Sequence, residues 1–182
     1  TGYLKKGSAV GNNDQLGYSV AVSGDGATVA VGVPNESQTS SESGAVTIYK
    51  KNSAGVWDVE KALLKAQNAG LSDAFGTAVS LSDDGNRLVV GAPKEDGDAT
   101  STATVSNDFS ADSGAVYVFT RANAIWTAIS YVKASNVNTG DLFGSSVAIS
   151  GDGTRFVVGA PLEDTTATTS GAAYVFTFNG TT

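Results

Sequence analysis

One pattern occurs three times in this 182-residue chain, and it constrains the fold more than any other feature. Its fullest copy runs Asp141-Leu142-Phe143-Gly144-Ser145-Ser146-Val147, passes the turn Gly151-Asp152-Gly153 and ends at Gly159-Ala160-Pro161. Earlier copies run from Asp73 through Phe75-Gly76 to Gly91-Ala92-Pro93, and from Asp14 through Leu16-Gly17 to Gly32-Val33-Pro34. The copies start 59 residues (14 to 73) and then 68 residues (73 to 141) apart. Such self-similarity marks a repeat architecture.

Each copy reads as short strands joined by turns. Residues 17–23, 76–82 and 144–150 alternate branched and small side chains, the period-two pattern of a strand packed on both sides. An Asp-Gly pair then predicts a tight hairpin with a primed turn. A second strand follows at 28–33, 87–92 and 155–160, each stopped by a proline that cannot donate to a ladder. A third opens on Ser43-Gly44-Ala45, Ser113-Gly114-Ala115 and Ser170-Gly171-Ala172. Trp57 and Trp126 begin a fourth, which ends near Lys65-Ala66 and Lys133-Ala134. The expected fold class is all-β: three four-stranded antiparallel repeats of β-propeller-blade type, forming a partial propeller or an assembling unit. A β-sandwich is the alternative, but it has no need of a motif at this period. The expected divisions are repeat 1 at 1–61, repeat 2 at 62–130 and repeat 3 at 131–182.

Phe75-Gly76 and Phe143-Gly144, followed by Gly91-Ala92-Pro93 and Gly159-Ala160-Pro161, resemble the FG-GAP repeats of integrin α-subunit propellers. The resemblance covers nearly the whole chain, with the first copy reduced to Leu16-Gly17 and Gly32-Val33-Pro34. It implies an extracellular or cell-surface propeller concerned with adhesion, protein–protein interaction or structural assembly. Fungal lectins and a secreted phospholipase carry similar repeats, so a carbohydrate-binding propeller is the second expectation. Calcium-binding members carry an Asp-x-Asp-x-Asp-Gly loop between the first two strands. Here that place holds Ser23-Gly24-Asp25-Gly26, Ser82-Asp83-Asp84-Gly85 or Ser150-Gly151-Asp152-Gly153, too few oxygens to wrap the ion. These turns read as structural hairpins.

Acidic residues also follow each proline, at Asn35-Glu36, at Glu95-Asp96 with Asp98, and at Glu163-Asp164. Solvated loops are the preferred reading. Glu95, Asp96 and Asp98 are the candidate cation ligands, with calcium the ion they would take. No other cofactor is expected. The pairs Tyr117 with Phe119 and Tyr174 with Phe176 share a face, and packing between sheets is favoured over stacking on a sugar.

Composition narrows the function. Eleven basic against 18 acidic residues give a net charge of −7, which argues against a nucleic-acid partner. Cys and His are absent, so no thiolate or imidazole is present as zinc ligand or nucleophile pair. Catalysis would rest on carboxylates, Lys or Tyr, a glycosidase being the form considered; no enzyme activity and no catalytic residue are expected. The apolar runs are too short to insert into a membrane. Residues 1–6 lack the hydrophobic region of a signal peptide, so if the protein is secreted the expectation is a mature or excised form. Asn35-Glu36-Ser37 and Asn179-Gly180-Thr181 match the N-glycosylation pattern.

The expected partners are a protein or glycan ligand and further copies of the chain. Tyr3-Leu4-Lys5-Lys6 aligns with Leu63-Leu64-Lys65-Ala66 and Tyr131-Val132-Lys133-Ala134, whereas repeat 3 stops short of its own fourth strand. Residues 2–8 are therefore expected to complete the third blade of a neighbouring copy, giving a head-to-tail ring or filament. The alternative is a fragment of a longer propeller.

Overall fold

The computed structural model describes residues 3–4, 11–98, 107–164 and 167–178. Among them every regular element is a strand, and no helix is long and apolar enough to cross a membrane. The first sheet contains β1 (Val20–Val22), β2 (Thr28–Val33), β3 (Ala45–Lys51) and β4 (Trp57–Leu64). The second contains β5 (Ala78–Leu81), β6 (Arg87–Ala92), β7 (Ala115–Ala122) and β8 (Ile125–Val132). The third contains β9 (Ser146–Ile149), β10 (Arg155–Ala160) and β11 (Ala172–Thr177). All are antiparallel and ordered as in the sequence. The fold is thus all-β, built of propeller-type blades. β4 and β8 run past the divisions expected at 61 and 130.

The second strands lie where the sequence places them, and the register repeats: Val31 faces Thr47 as Val90 faces Tyr117. The first strands begin later than expected, because Gly17, Gly76 and Gly144 turn the chain with φ of 96°, 95° and 95°. The Asp-Gly turns also differ from expectation. Ser23 N–H donates to Thr28 O at 2.9 Å and Gly26 N–H to Ser23 O at 2.9 Å, which closes a loop longer than a two-residue hairpin. Only its last turn residue needs positive φ, met by Gly26 (65°), Gly85 (66°) and Gly153 (71°). Of residues 2–8 only Tyr3 and Leu4 are described, in no strand; the strand expected there otherwise lies outside the described residues.

The sheets stack in sequence, with β5 packed between β1 and β9. The two junctions are built alike. Phe75 N–H donates to Ser43 O at 3.0 Å, and Phe143 N–H donates to Ser113 O at 3.1 Å. Each Phe-Gly segment lies against a glycine pair of the preceding sheet: Gly76 on Gly32 and Phe75 on Gly44, then Gly144 on Gly91 and Phe143 on Gly114. A methyl on Gly91 would lie 2.9 Å from the carbonyl carbon of Gly144, so only glycine admits the approach. Here is the physical content of the repeated motif: a backbone knob from one blade fills a gap left by absent side chains on the previous one.

Apolar side chains seal both junctions. Ala30, Val46 and Ile48 pack with Phe75, Val79 and Leu81, while Val89, Val116 and Val118 pack with Phe143 and Phe156. Tyr117 and Phe119 meet Phe75 edge-on at 5.3 and 6.0 Å; Tyr174 and Phe176 meet Phe143 at the same distances. These aromatics pack, as expected. Burial on both faces holds for β5 but not for β1, where Val20 and Val22 are 67% and 61% exposed. Only the middle sheet has a neighbour on each side.

Candidate functional site

The turns ahead of each first strand converge on a cavity of about 340 Å³. Its walls are equivalent positions of successive blades: Gln15, Ala74 and Leu142, then Tyr18, Thr77 and Ser145, with Pro34-Asn35 and Pro93-Lys94 closing the side. The first three are held left-handed, with φ of 60°, 56° and 55°. For residues bearing a Cβ this costs about 1 kcal/mol each and needs an anchor.

A buried carboxylate sits at each of these turns. Asp14, Asp73 and Asp141 are nearly inaccessible and accept backbone N–H groups from Gly11 (2.5 Å), Gly70 (2.6 Å) and Asn138 (3.2 Å). Burial lifts the Asp73 carboxyl to about 7, and the charges of Glu95, Asp96 and Asp108 add to the effect. The Asp141 carboxyl is raised in the same way, burial first.

Thr77 and Ser145 spend their hydroxyls on Ala74 O and Leu142 O, both at 2.7 Å. Asn35 donates to Asn13 O at 3.3 Å. That leaves Gln15, the 61%-exposed Tyr18 ring and Lys94, which makes no ion pair among the described residues, to face the opening. No carboxylate lines it. Asn179, the second glycosylation candidate, lies outside the described residues.

The acids after the prolines are not solvated loops, which corrects the preferred sequence reading. Glu36, Glu95 and Glu163 are 0%, 1% and 4% exposed. Glu95 takes Lys133 Nζ at 2.8 Å, the Gly97 N–H at 3.0 Å and the Asn68 amide at 3.1 Å. Asn68 in turn accepts the Tyr117 hydroxyl at 2.7 Å, and Lys133 also donates to Ser113 Oγ at 2.7 Å. The third blade repeats this chain through Tyr174, Asn136 and Glu163, and the first pairs Glu36 with Lys65. Desolvation lowers the Lys133 pKa even though Glu95 opposes it. Lys65, Lys133, Asn68 and Asn136 lie 27 to 38 residues from these acids, too far for local sequence to tie them together. A signal existed, because Glu stands two residues after every proline.

The candidate cation ligands do not converge. Glu95 is held as above, Asp96 Oδ1 accepts the Asp112 N–H at 2.7 Å, and Asp98 Oδ1 accepts the Asn107 amide at 2.9 Å. Among the described residues no group of three acidic side chains is placed to hold a metal ion. The Asp-Gly turns hold themselves: Ser82 Oγ donates to Asp84 Oδ1 at 2.6 Å, and Asn86 N–H to the same oxygen at 2.9 Å. In the third blade the same bracing holds the Asp152 carboxyl down to about 2, the Ser150 hydroxyl acting first.

Trp126 is 9% exposed and packs into the blade, donating to Glu60 at 3.0 Å across the first junction, where Glu60 also pairs with Arg121.

A family model described as FG-GAP repeat matches residues 58–119 and 126–176. No curated protein sequence matches the chain. Among solved structures, hydrazine synthase of Kuenenia stuttgartiensis is similar over 98% of this chain and 37% of its own, at 16% identity and a TM-score of 0.50. Tricorn protease is similar over 87% of this chain and 13% of its own, at 13% identity and a TM-score of 0.44. The chain therefore spans well under half of either structure, and the first likeness bears on the fold alone.

Proposed function

The chain belongs to the FG-GAP repeat family, and on that premise we propose that it is a non-enzymatic extracellular module that binds a protein partner at the mouth formed by its blades. One observation carries the reading: three blades hold strained turns around a 340 Å³ cavity, where Gln15, the Tyr18 ring and Lys94 face out and no carboxylate lines the wall. Strain of this kind collects at functional sites. The absence of a lining carboxylate and of His and Cys supports binding rather than catalysis. Lys94 suits an acidic side chain on the partner.

The test is surface binding of extracellular-matrix proteins to the immobilised chain. Binding that is lost in Lys94→Glu, with unchanged melting, supports the reading; a Lys94→Glu protein that binds like the parent overturns it. The exposed Tyr18 ring beside Gln15 and Asn35 favours a second reading, a sugar stacked on Tyr18. A glycan-array signal abolished by Tyr18→Ala would select it; an empty array would remove it.

A further inference from the structure

We propose that the free face of the third sheet receives the first sheet of a second copy, so that the chain assembles head to tail. The molecule contains two worked examples of the contact. In each, the receiving sheet supplies two glycines and three apolar side chains, and the incoming sheet supplies a knob and its first strand. The third sheet carries the same receiver: Gly159 and Gly171, with Val157, Ala173 and Val175 in place of Val89, Val116 and Val118. Val89 and Val118 are fully buried, whereas Val157 and Val175 are 39% and 69% exposed. A Cβ on Gly159 would meet only Ser146 of its own sheet, and one on Gly171 only Pro161.

The first sheet carries the matching insert. Gly17 has the φ of 96° shared by Gly76 and Gly144, yet a Cβ on it would meet nothing within 4 Å. Val20 and Val22 stand where Val79 and Leu81 do, and they are exposed instead of 9% and 7% accessible. Among the described residues, knob and receiver are thus both formed and both uncovered. Leu16 is smaller than the Phe it replaces, so it enters the site without overpacking. The receiver also has its hydrogen-bond donor. At the first junction Ser19 Oγ donates to Gly76 O at 2.7 Å, and Ser146 stands in the place of Ser19, aligned for Gly17 O of the second copy. Since knob and receiver lie on different faces, the contact is heterologous and generates a ring or filament.

Sedimentation velocity on the 182-residue chain from about 1 to 200 µM tests this, a range that spans ordinary weak association. The expected wild-type mass rises with concentration above 18.3 kDa. Val20→Asp (knob side) and Val175→Asp (receiver side) each alter an exposed residue, so both should melt like wild type and stay at 18.3 kDa. Mixed, they should form a 1:1 complex of twice that mass that grows no further, because one has a working receiver and the other a working knob. Ser146→Ala should weaken wild-type association about fivefold, the worth of one hydrogen bond. A wild-type chain of 18.3 kDa throughout, as expected if only a further repeat of a longer chain fills the face, overturns the proposal. So does dimerisation of either Asp variant alone, or failure of the two to combine.

Discussion

Placing a methyl at Gly91 attacks the second junction where it has least room. The added carbon would lie 2.9 Å from the Gly144 carbonyl carbon and 3.3 Å from its Cα, and closer still to the carbonyl oxygen. Carbon atoms rest about 3.5–4.0 Å apart, so the sheets must part by roughly 0.6 Å or more. Neither side yields easily. Gly91 O accepts the Gly76 N–H at 3.0 Å, and Gly144 N–H donates to Gly159 O at 3.1 Å. Overpacking of this sort costs about 1–3 kcal/mol, and rigid backbone on both sides puts Gly91→Ala at the upper end. Gly91 does not have positive φ, so lost chain freedom in the unfolded state returns about 0.5–1 kcal/mol. A net loss of about 2 kcal/mol lowers the melting temperature of a chain this size by about 4–8 °C. Gly159→Ala is the control, since its methyl meets only the Ser146 side chain, which can rotate. That variant should stay within about 1 kcal/mol of wild type in dilute solution. Circular-dichroism melts at low concentration read both. Equal damage from the two substitutions, or none from Gly91→Ala, would refute the knob-and-gap reasoning.

Asp73→Asn should stabilise the protein increasingly as pH rises from 4 to 8. The folded carboxyl titrates near 7 and the unfolded one near 3.8, so wild type loses stability across that window and the amide does not. The full shift is worth about 4 kcal/mol, and relaxation around the buried charge trims the gain to about 1–3 kcal/mol, measured as the difference between urea midpoints at each pH. Lys133→Met leaves Glu95 charged and buried, and should cost about 3–5 kcal/mol by the same assay, with Glu95→Gln added to it recovering much of the loss. Millimolar calcium, compared with a chelator, should move the melting temperature by less than about 5 °C, because the turn carboxylates are already engaged by Ser and backbone donors.

The strands and the junction motif were legible because they rest on local chemistry. Alternating Val with small residues, proline at a strand end and glycine at a tight approach act within a few residues of each other. The polar interior was not. Glu95 beside Lys94 and Asp96 looks like a wet loop, and the cation that balances its buried charge, Lys133, lies 38 residues on. Sequence order hides that pairing, although Pro and Glu recur two apart in all three repeats and Lys-Ala follows in the first two. The turn was misjudged for another reason. Asp-Gly predicts two left-handed residues, but the serine ahead of it braces the Asp, so only the glycine adopts positive φ. The outward-facing groups at the mouth, Gln15, Tyr18 and Lys94, differ between repeats, and nothing local set them apart.

Hydrogen exchange at three amides tests the central claim, that each Phe-Gly segment is locked into the preceding blade. On the Val175→Asp variant, which keeps the receiver empty, Phe75 and Phe143 should exchange only with global unfolding, since each N–H is bonded across a junction. Leu16, the knob without a receiver, should exchange orders of magnitude faster, in line with about 3 kcal/mol or more of local difference. Phe143 exchanging as fast as Leu16 would contradict the account.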